Sequence, residues 1–315
     1  MRVKIIKRFP DISKPGFSWE KWNSQFFTNN VILNGHYSNI SYPTHWTTFS
    51  IKCAFGGTEF YKTSKVKYGV DNKTYLILND GTMYDSLINS ENKVESFTIN
   101  FSRSFVSDVF VSLSGSNEEQ LDSPANEKPA PNFFEQLHAH DDFTIGMLNN
   151  IRILIHEGNS DENLINELLH VFLERMVHIH SSSLVKAGNL NAVKYSTRME
   201  ILRRLNYAKD YIYSNYSEKI DLDTLAKVAC LSPHHFLRSF KNAFGQTPHN
   251  FLTTRRIESA KELLINSGKS ITEICQLVGF ESLSSFGVLF KKHHGMAPER
   301  FRTCNQKKQI SNNNL

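Results

Sequence analysis

Two stretches in the last third of the chain share one pattern and decide the fold of that region. Residues 221–245 read DLDTLAKVACLSPHHFLRSFKNAFG, and residues 270–295 read SITEICQLVGFESLSSFGVLFKKHHG. Each copy contains a short apolar helix, a tight turn, a capping residue and a second helix that ends at a glycine. The repeat predicts two helix-turn-helix units in an all-α C-terminal domain, which we place at residues 196–305.

The shorter helix of the first copy is marked by its apolar spacing. The residues at positions i, i+3, i+4 and i+7 share one helical face: Leu222, Leu225, Ala226 and Ala229. Ser232 then provides an N-cap, and Pro233 stands at the first helical position, where an N–H group is not needed. The longer helix therefore begins at Pro233.

The longer helix of the first copy has an aromatic face and a polar face. Phe236, Phe240 and Phe244 recur every four residues, and we interpret them as core rather than as a platform for stacking bases. A helix whose early polar side chains face outward is the form that enters a major groove. The base-reading candidates are His234, His235 and Arg238, and the phosphate-binding candidates are Ser232 and Lys241.

The second copy repeats this pattern with a less polar outward face. Its predicted buried residues are Ile271, Ile274, Leu277, Val278, Phe286, Leu289 and Phe290. Its base-reading candidates are Leu283, Ser284 and Ser285, and its phosphate-binding candidates are Lys291 and Lys292. Gly287 and Val288 cannot make a bidentate contact to a base. We therefore expect base preference to be concentrated under the first copy, and to be weak or biased to thymine under the second.

The run from residue 222 to residue 302 resembles the DNA-binding domain of AraC/XylS-type transcriptional regulators. The matching phrases are LAKVACLSPHHFLRSFKNAFGQTPHNF, RRIESAKELL and ITEICQLVGFESLSSFGVLFKKHHGMAPERFR, in family order. The resemblance implies a domain that places two recognition helices in neighbouring major-groove segments of double-stranded DNA. It also implies a transcriptional activator with RNA polymerase as a partner.

Apolar runs between residues 31 and 111 predict an all-β N-terminal domain. The runs are VIL, FSIKCAF, KYGV, TYLILN and VESFTINFS, and turn signals separate them at Asn34-Gly35, Gly56-Gly57, Asn79-Asp80-Gly81 and Asn89-Ser90. The phrases TYLILNDGTMYDSLI and VESFTINFSRSFV resemble the end of the cupin-like sensor domain found in many relatives. This resemblance implies a cupin-like sensor at residues 1–113 that binds a small-molecule effector.

Four residues of this domain are candidates for lining an effector pocket: His36, His45, Trp46 and Tyr84. The alternative is that they are surface or core-edge residues. The metal-binding pattern of cupin enzymes, H-x-H followed by Glu and a distant His, is not found between residues 31 and 111, and we predict no metal and no other cofactor. His138-x-His140 and His178-x-His180 have metal-like spacing, but we interpret both pairs as helical, and residues two apart on a helix do not face each other.

The middle of the chain predicts a linker followed by a helical connector. Residues 114–132 are polar, contain three prolines and lack periodicity. Residues 142–156 and 161–181 are amphipathic and predict two helices in a connector at residues 133–195. Leu168, Val171 and Phe172 are candidates for the seam of a homodimer, and the alternative is that these helices pack on the sensor. Residues 306–315 are predicted to be a flexible tail.

Charge, cysteines and hydropathy indicate a cytoplasmic DNA-binding protein without a membrane partner. Residues 198–315 contain 18 Lys and Arg against 10 Asp and Glu, a net charge of +8, whereas residues 1–197 have a net charge of −3. No stretch approaches the ~18 apolar residues of a membrane span. Four scattered cysteines suit a reducing compartment, and we place Cys230 and Cys275 at buried helical positions.

Two alternatives to an effector-responsive regulator remain. The first is an enzyme with an appended DNA-binding domain, such as a DNA-repair methyltransferase, which would need an activated cysteine. Cys53 has no His–Asp set nearby, and we predict no catalytic residue and no enzyme. The second is a ligand-independent regulator that is controlled only by its own abundance.

Overall fold

The computed structural model describes residues 2–114, 133, 135–158, 161–187 and 195–312. The chain divides into two compact parts, residues 1–188 and residues 189–315, which we call the N-terminal and the C-terminal domain. The first is built on a β-sheet and the second is helical, and the predicted fold class is therefore confirmed. All but the first residue of the predicted linker at 114–132 lies outside the described residues.

The N-terminal domain contains an eight-stranded sheet. Its strands are β1 (Val3–Ile6), β2 (Asn30–Trp46), β3 (Ser50–Phe55), β4 (Glu59–Thr63), β5 (Lys67–Val70), β6 (Thr74–Leu78), β7 (Met83–Asn100) and β8 (Leu137–Ala139). The order is β1-β2-β7-β3-β6-β8, with β4 paired to β5 and β7, and β1 runs parallel to β2. Two short helices, α1 (Trp19–Asn23) and α2 (Gln25–Thr28), precede β2.

Two of the predicted turns are wrong because they lie inside long strands. Asn34-Gly35 belongs to β2 and Asn89-Ser90 to β7, and these strands pair with each other through two register shifts. Such irregularities bend and twist a strand without reversing it. Gly35 permits a close approach instead, since a Cβ there would lie 2.4 Å from the ring of Tyr37. The turns at Gly56 and Gly81 are confirmed, with φ of +78° and +82°.

Three further helices complete the N-terminal domain: α3 (Arg103–Ser114), α4 (Asp142–His156) and α5 (Glu162–Ala187). The helices α4 and α5 confirm the two predicted in the connector. They are nevertheless part of the core of this domain, because Leu148, Ile151 and Phe172 are buried in one apolar cluster with Phe97 and Ile99 of β7. A side chain buried in this core is not available to a dimer seam, and that assignment of Phe172 is wrong.

The helical interpretation of His138 and His140 is also wrong. His138 lies in β8, which pairs with β6, and His140 directly follows the strand. Side chains two apart in an extended chain share a face, and the ring centroids of both histidines lie 5.2 Å from that of Tyr75. Burial lowers the pKa of His140 to about 4, so this imidazole is neutral. No group of three His, Cys, Asp or Glu side chains suited to a metal ion occurs among the described residues.

The C-terminal domain is formed by helices that follow one another closely. They are α6 (Tyr195–Ser214), α7 (Leu222–Val228), α8 (Pro233–Phe244), α9 (Pro248–Asn266), α10 (Ile271–Leu277), α11 (Leu283–His294) and α12 (Pro298–Asn312). The pairs α7–α8 and α10–α11 are the two predicted helix-turn-helix units, and α9 joins them. Ile257 and Ala260 of α9 share an apolar cluster with Ile274, Phe286 and Phe290 of the second unit. The helix α12 occupies most of the stretch that was predicted to be a tail.

Two residues predicted to be buried in these units, Leu277 and Cys230, are exposed, and so is Leu222 on the predicted apolar face of α7. Leu222 is the first residue of α7 and Leu277 the last of α10, and they are 38% and 48% exposed. Each helix has only seven residues, and its ends extend beyond the apolar neighbours that cover its middle. Cys230 is exposed because it follows the end of α7 in a turn, where its φ is +51°. Cys275, in contrast, is buried as predicted.

Candidate nucleic-acid interface and a cavity in the sheet domain

Local caps define both helices of the first helix-turn-helix unit. The Asp221 carboxylate accepts a hydrogen bond of 2.7 Å from the backbone N–H of Thr224 and begins α7. Gly245 ends α8 in the left-handed conformation. Ser232 occupies the N-cap position of α8, as predicted, but its side chain makes no capping hydrogen bond. Its exposed hydroxyl therefore lies at a helix N-terminus, a type of position that suits a phosphate oxygen.

Burial of the aromatic face of α8 fixes which side chains face outward. Phe236 and Phe240 are fully buried, and Phe244 is half-buried. Of the side chains predicted to contact DNA, His234, Arg238 and Lys241 are exposed, and His235 is half-buried. The exposed three are separated by four and three positions, which places them on one side of the helix. They form a polar row along the exposed side of α8.

The second helix-turn-helix unit has more complete caps. A capping box begins α10, because the Ser270 hydroxyl accepts from the Glu273 N–H while the Glu273 carboxylate accepts from the Ser270 N–H. The Ser282 hydroxyl accepts a hydrogen bond of 3.3 Å from the Ser285 N–H and begins α11. Gly295 ends α11 in the left-handed conformation. Ser282 is thus the capping residue of the second copy.

The outward face of α11 is apolar and small in its middle. Val288 is 69% exposed, and a Cβ added to Gly287 would meet no atom within 4 Å. The side chains predicted to contact DNA are all exposed: Leu283, Ser284, Ser285, Lys291 and Lys292. This face offers methyl groups, two hydroxyls and, at its far end, two cations. It has no side chain in its middle that could form a bidentate hydrogen bond.

Sequence reasoning missed Arg256, which holds the two helix-turn-helix units together. Its guanidinium donates hydrogen bonds of 2.7 and 2.8 Å to the carbonyl groups of Tyr216 and Glu218, in the loop before α7. The same loop contacts the turn of the second unit, where a Cβ on Gly279 would lie 2.6 Å from the carbonyl oxygen of Ser217. An arginine in an amphipathic helix carries no sequence signal for this role, because its partners lie about 40 residues away.

A cavity lies beside β2, β3, β4 and β7 of the N-terminal domain. Its volume is about 30 Å³, and its lining includes Trp19, Trp22 and Trp46, which are all the tryptophans of the chain. His45 and Tyr84 also line it, and the ring of His45 stacks on Trp19 with 4.4 Å between centroids. The structure therefore brings three of the four pocket candidates together.

His36 is the pocket candidate that lies elsewhere. It borders an open depression with Glu95 and Arg152, and its Nε2 is 3.9 Å from the Glu95 carboxylate, which also binds Arg152. The reason is the length of β2, because residues nine apart in one strand are separated by about 30 Å.

Two buried charged side chains face the cavity, and sequence reasoning missed both. Lys52 of β3 is 1% exposed and Glu59 of β4 is 3% exposed. The ammonium group of Lys52 donates a hydrogen bond of 3.0 Å to the hydroxyl of Tyr84. Burial lowers the pKa of Lys52 to about 7 and raises the pKa of Glu59. A lone lysine or glutamate in a strand sequence is ordinarily a solvent-facing residue, and nothing in the local pattern distinguishes these two.

The thiol of Cys53 is not an activated nucleophile. Cys53 lies in β3 and is fully buried. Burial raises the pKa of the Cys53 thiol well above its usual range. The reactive form of cysteine is the thiolate, and this environment disfavours it.

The paired helix-turn-helix units and their exposed second helices define a class of DNA-binding domain, and comparison with known proteins agrees. Residues 225–303 match the family model described as "Helix-turn-helix domain", which is of the AraC type. The C-terminal domain is therefore similar to the DNA-binding domain of AraC/XylS-type transcriptional regulators. No helix among the described residues is both long and apolar enough to cross a membrane.

Individual relatives are similar over about a third of this chain. The "Probable transcriptional regulator LumQ" of Photobacterium leiognathi is 35% identical over 103 residues, which are 32% of this chain and 42% of LumQ. The "Bifunctional transcriptional activator/DNA repair enzyme AdaA" of Bacillus subtilis (strain 168) is 36% identical over 105 residues, 33% of this chain and 50% of AdaA. Among solved structures, the C-terminal domain of AraT, a response regulator from Geobacillus stearothermophilus, is 30% identical to the matched region, with a TM-score of 0.31. The match covers 32% of this chain and 84% of that chain. The chain thus spans half or less of the length of these two curated relatives.

Proposed function

We propose that this protein is a sequence-specific DNA-binding transcriptional regulator that responds to a small molecule through its N-terminal domain. The observation that carries the proposal is the pair of helix-turn-helix units, each with a second helix that buries its aromatic face and exposes the opposite one. The net charge of +8 on residues 198–315 supports attraction to the phosphate backbone.

The two recognition helices have different roles in this proposal. In α8, Arg238 is placed to make a bidentate contact with guanine, with His234 and His235 on neighbouring bases. In α11, Leu283 and Val288 contact thymine methyl groups, while Ser284 and Ser285 offer single hydrogen bonds. The phosphate contacts come from Ser232, Lys241, Lys291 and Lys292. Specificity therefore comes mainly from the first unit and position on the duplex from both.

The proposed response to a signal is a population shift. An effector that binds one arrangement of the N-terminal domain more tightly than another stabilises that arrangement and changes how the DNA-binding units are presented. A homodimer and contact with RNA polymerase belong to the same proposal. The competing function is a ligand-independent regulator. The buried Lys52 and Glu59 favour the effector-responsive form, because well-packed apolar residues at these positions would avoid the desolvation of two ionisable groups beside a cavity.

Selection of binding sites from randomised DNA tests the division of roles between the two helices. We expect Arg238→Ala to relax base preference at one or two positions, since a bidentate arginine contributes about 1–3 kcal/mol of discrimination. Val288→Ala, its counterpart in α11, should change the selected sequence little. If Arg238→Ala instead weakened binding to all sequences equally and the strongest preferences lay under α11, the roles would be reversed. Failure of the wild-type protein to select any sequence would refute the proposed function.

A further inference from the structure

Two side chains that can carry opposite charges face one cavity, and no salt bridge joins them in the described part of the chain. Both Lys52 and Glu59 line the cavity and are almost completely buried. The ammonium group of Lys52 donates its hydrogen bond to the Tyr84 hydroxyl. Oε2 of Glu59 has no hydrogen-bond partner within the described part of the chain, although the Ser96 and Tyr61 hydroxyls act to lower the pKa of this carboxyl group. A second polar atom of the lining, Nδ2 of Asn23, is also buried and without a partner there.

Burial of charged groups in this state is unfavourable. A buried charge is normally paired or fully hydrogen-bonded, and well-packed apolar residues at the same positions avoid its desolvation. Trp19, Trp22, Phe26 and Trp46 give the wall a large aromatic surface, and the neutral polar side chains of Thr47, Ser86, Thr98 and Asn100 complete it. The Glu59 carboxyl group and the Lys52 ammonium group, held apart in this wall, are complementary to a molecule that carries both a cation and an anion.

We propose that this cavity binds a small zwitterion of the α-amino-acid kind, with its carboxylate on Lys52 and its ammonium group on Glu59. The proposal rests on the proposed function, because the zwitterion is the effector to which the regulator responds. Tyr84 holds the Lys52 ammonium in place through its hydroxyl. The indole rings would cover the ligand's side chain and attract its ammonium group. A ligand with one charge would leave either Lys52 or Glu59 without an ionic partner. A neutral polyol would leave both residues without one.

Binding requires part of the wall to move. A volume of about 30 Å³ has room for about two water molecules, which is too little for an amino acid. Trp19 and Trp22 lie on α1, of five residues, and Phe26 lies on α2, of four. Outward displacement of these two short helices would make the space. Because the same segment carries two of the three tryptophans, binding should change the indole fluorescence.

Titration of the full-length protein, followed by tryptophan fluorescence, tests the proposal. The twenty standard L-amino acids are titrated singly, together with matched analogues that lack one charge. L-alanine is matched with propionate and ethylamine, L-leucine with 4-methylpentanoate and 3-methylbutylamine, and L-phenylalanine with 3-phenylpropionate and 2-phenylethylamine. Glucose and arabinose serve as neutral polyols. We expect saturable binding of at least one amino acid, with its single-charge analogues at least about tenfold weaker, because each lacks one charge-assisted hydrogen bond.

Variants at the two charges separate their contributions. Lys52→Met should abolish the preference for the amino acid over the amine that lacks its carboxylate. Glu59→Gln should abolish the preference for the amino acid over the carboxylic acid that lacks its ammonium group. Lys67→Met, at an exposed lysine of β5, is the matched control and should leave both preferences unchanged. Thermal unfolding establishes that each variant is folded. Tyr84→Phe, which keeps the ring and removes the hydroxyl that holds Lys52, replaces Lys52→Met if that variant does not fold.

Three results would overturn the proposal: no amino acid gives a saturable signal, a single-charge analogue binds as tightly as its amino acid, or only a polyol binds. DNA binding is measured on the same preparations. Intact DNA binding without amino-acid binding removes this inference alone, and absence of DNA binding by the wild-type protein removes the proposed function.

Discussion

At the scale of single residues, two glycines of the second helix-turn-helix unit have opposite consequences for stability. Gly279 has a φ of +87°, and a Cβ there would lie 2.6 Å from the carbonyl oxygen of Ser217. Gly287 lies in the middle of α11 with open space beyond it. The first glycine is required by the backbone, whereas the second only weakens its helix.

Alanine at these two positions should therefore change stability in opposite directions. Gly279→Ala should lower the free energy of unfolding of the C-terminal domain by more than about 1 kcal/mol, because it adds left-handed strain to a clash with backbone. Gly287→Ala should raise it by about 0.5–1 kcal/mol through helix propensity. Urea denaturation of the full-length protein, followed by circular dichroism, measures both. A change of the same sign in the two variants would contradict this interpretation.

Residues whose partners are close in sequence could be predicted, and those with distant partners could not. The caps at Ser282 and Gly245 depend on atoms within one helical turn, and the pattern of neighbouring residues is sufficient to find them. The hydrogen bond of Lys52 reaches Tyr84, 32 positions away, and that of Arg256 reaches Tyr216, 40 positions away. Such partners are determined by the packing of whole elements.

At the scale of elements, α8 and α11 end in exposed lysines that are placed to contact phosphates. If Lys241, Lys291 and Lys292 do so, each replacement by Ala should weaken specific and non-specific DNA binding alike. Each should also lower the slope of log K against log salt by roughly one, because one fewer counterion is released. Fluorescence anisotropy across a salt series measures this. Lys93→Ala, at an exposed lysine of β7, is the control, and an unchanged slope in all three variants would exclude phosphate contact at these positions.

The helices of the two helix-turn-helix units could be predicted almost to the residue, while α12, which extends into the predicted tail, and the long strands of the N-terminal domain could not. Helices carry their period and their end signals in their own sequence. The strands β2 and β7 contain Asn-Gly and Asn-Ser pairs that indicate turns, and only their mutual pairing keeps the chain extended there. The strand β8 has only three residues, and it pairs with β6, which lies about 60 residues earlier in the sequence. The segment before β2 carries part of the cavity wall and has no strand-like or helical period.

At the scale of the whole molecule, the question is which surface could join two copies of the chain. The predicted seam on α5 contains three residues with different surroundings. Phe172 is fully buried in the core, Leu168 packs against that core, and Val171 is 42% exposed. Leu164, about two turns before Val171, is 37% exposed on the same side of the helix. An association through α5 would therefore use Leu164 and Val171, with Leu168 between them.

The variant that tests this association is Val171→Glu, since it places a charge on the exposed stripe and leaves the core untouched. If α5 forms the seam, the variant should sediment as a monomer at concentrations where the wild-type protein is a dimer, with an unchanged circular dichroism spectrum. Phe172→Glu should instead unfold the N-terminal domain, because it buries a charge among apolar side chains. Met83→Glu, at an exposed apolar residue of β7, controls for added charge and should remain dimeric. If the wild-type protein sediments as a monomer at micromolar concentration, with and without DNA, the proposed dimer is excluded. If the Val171→Glu variant is still a dimer, the seam lies elsewhere on the protein.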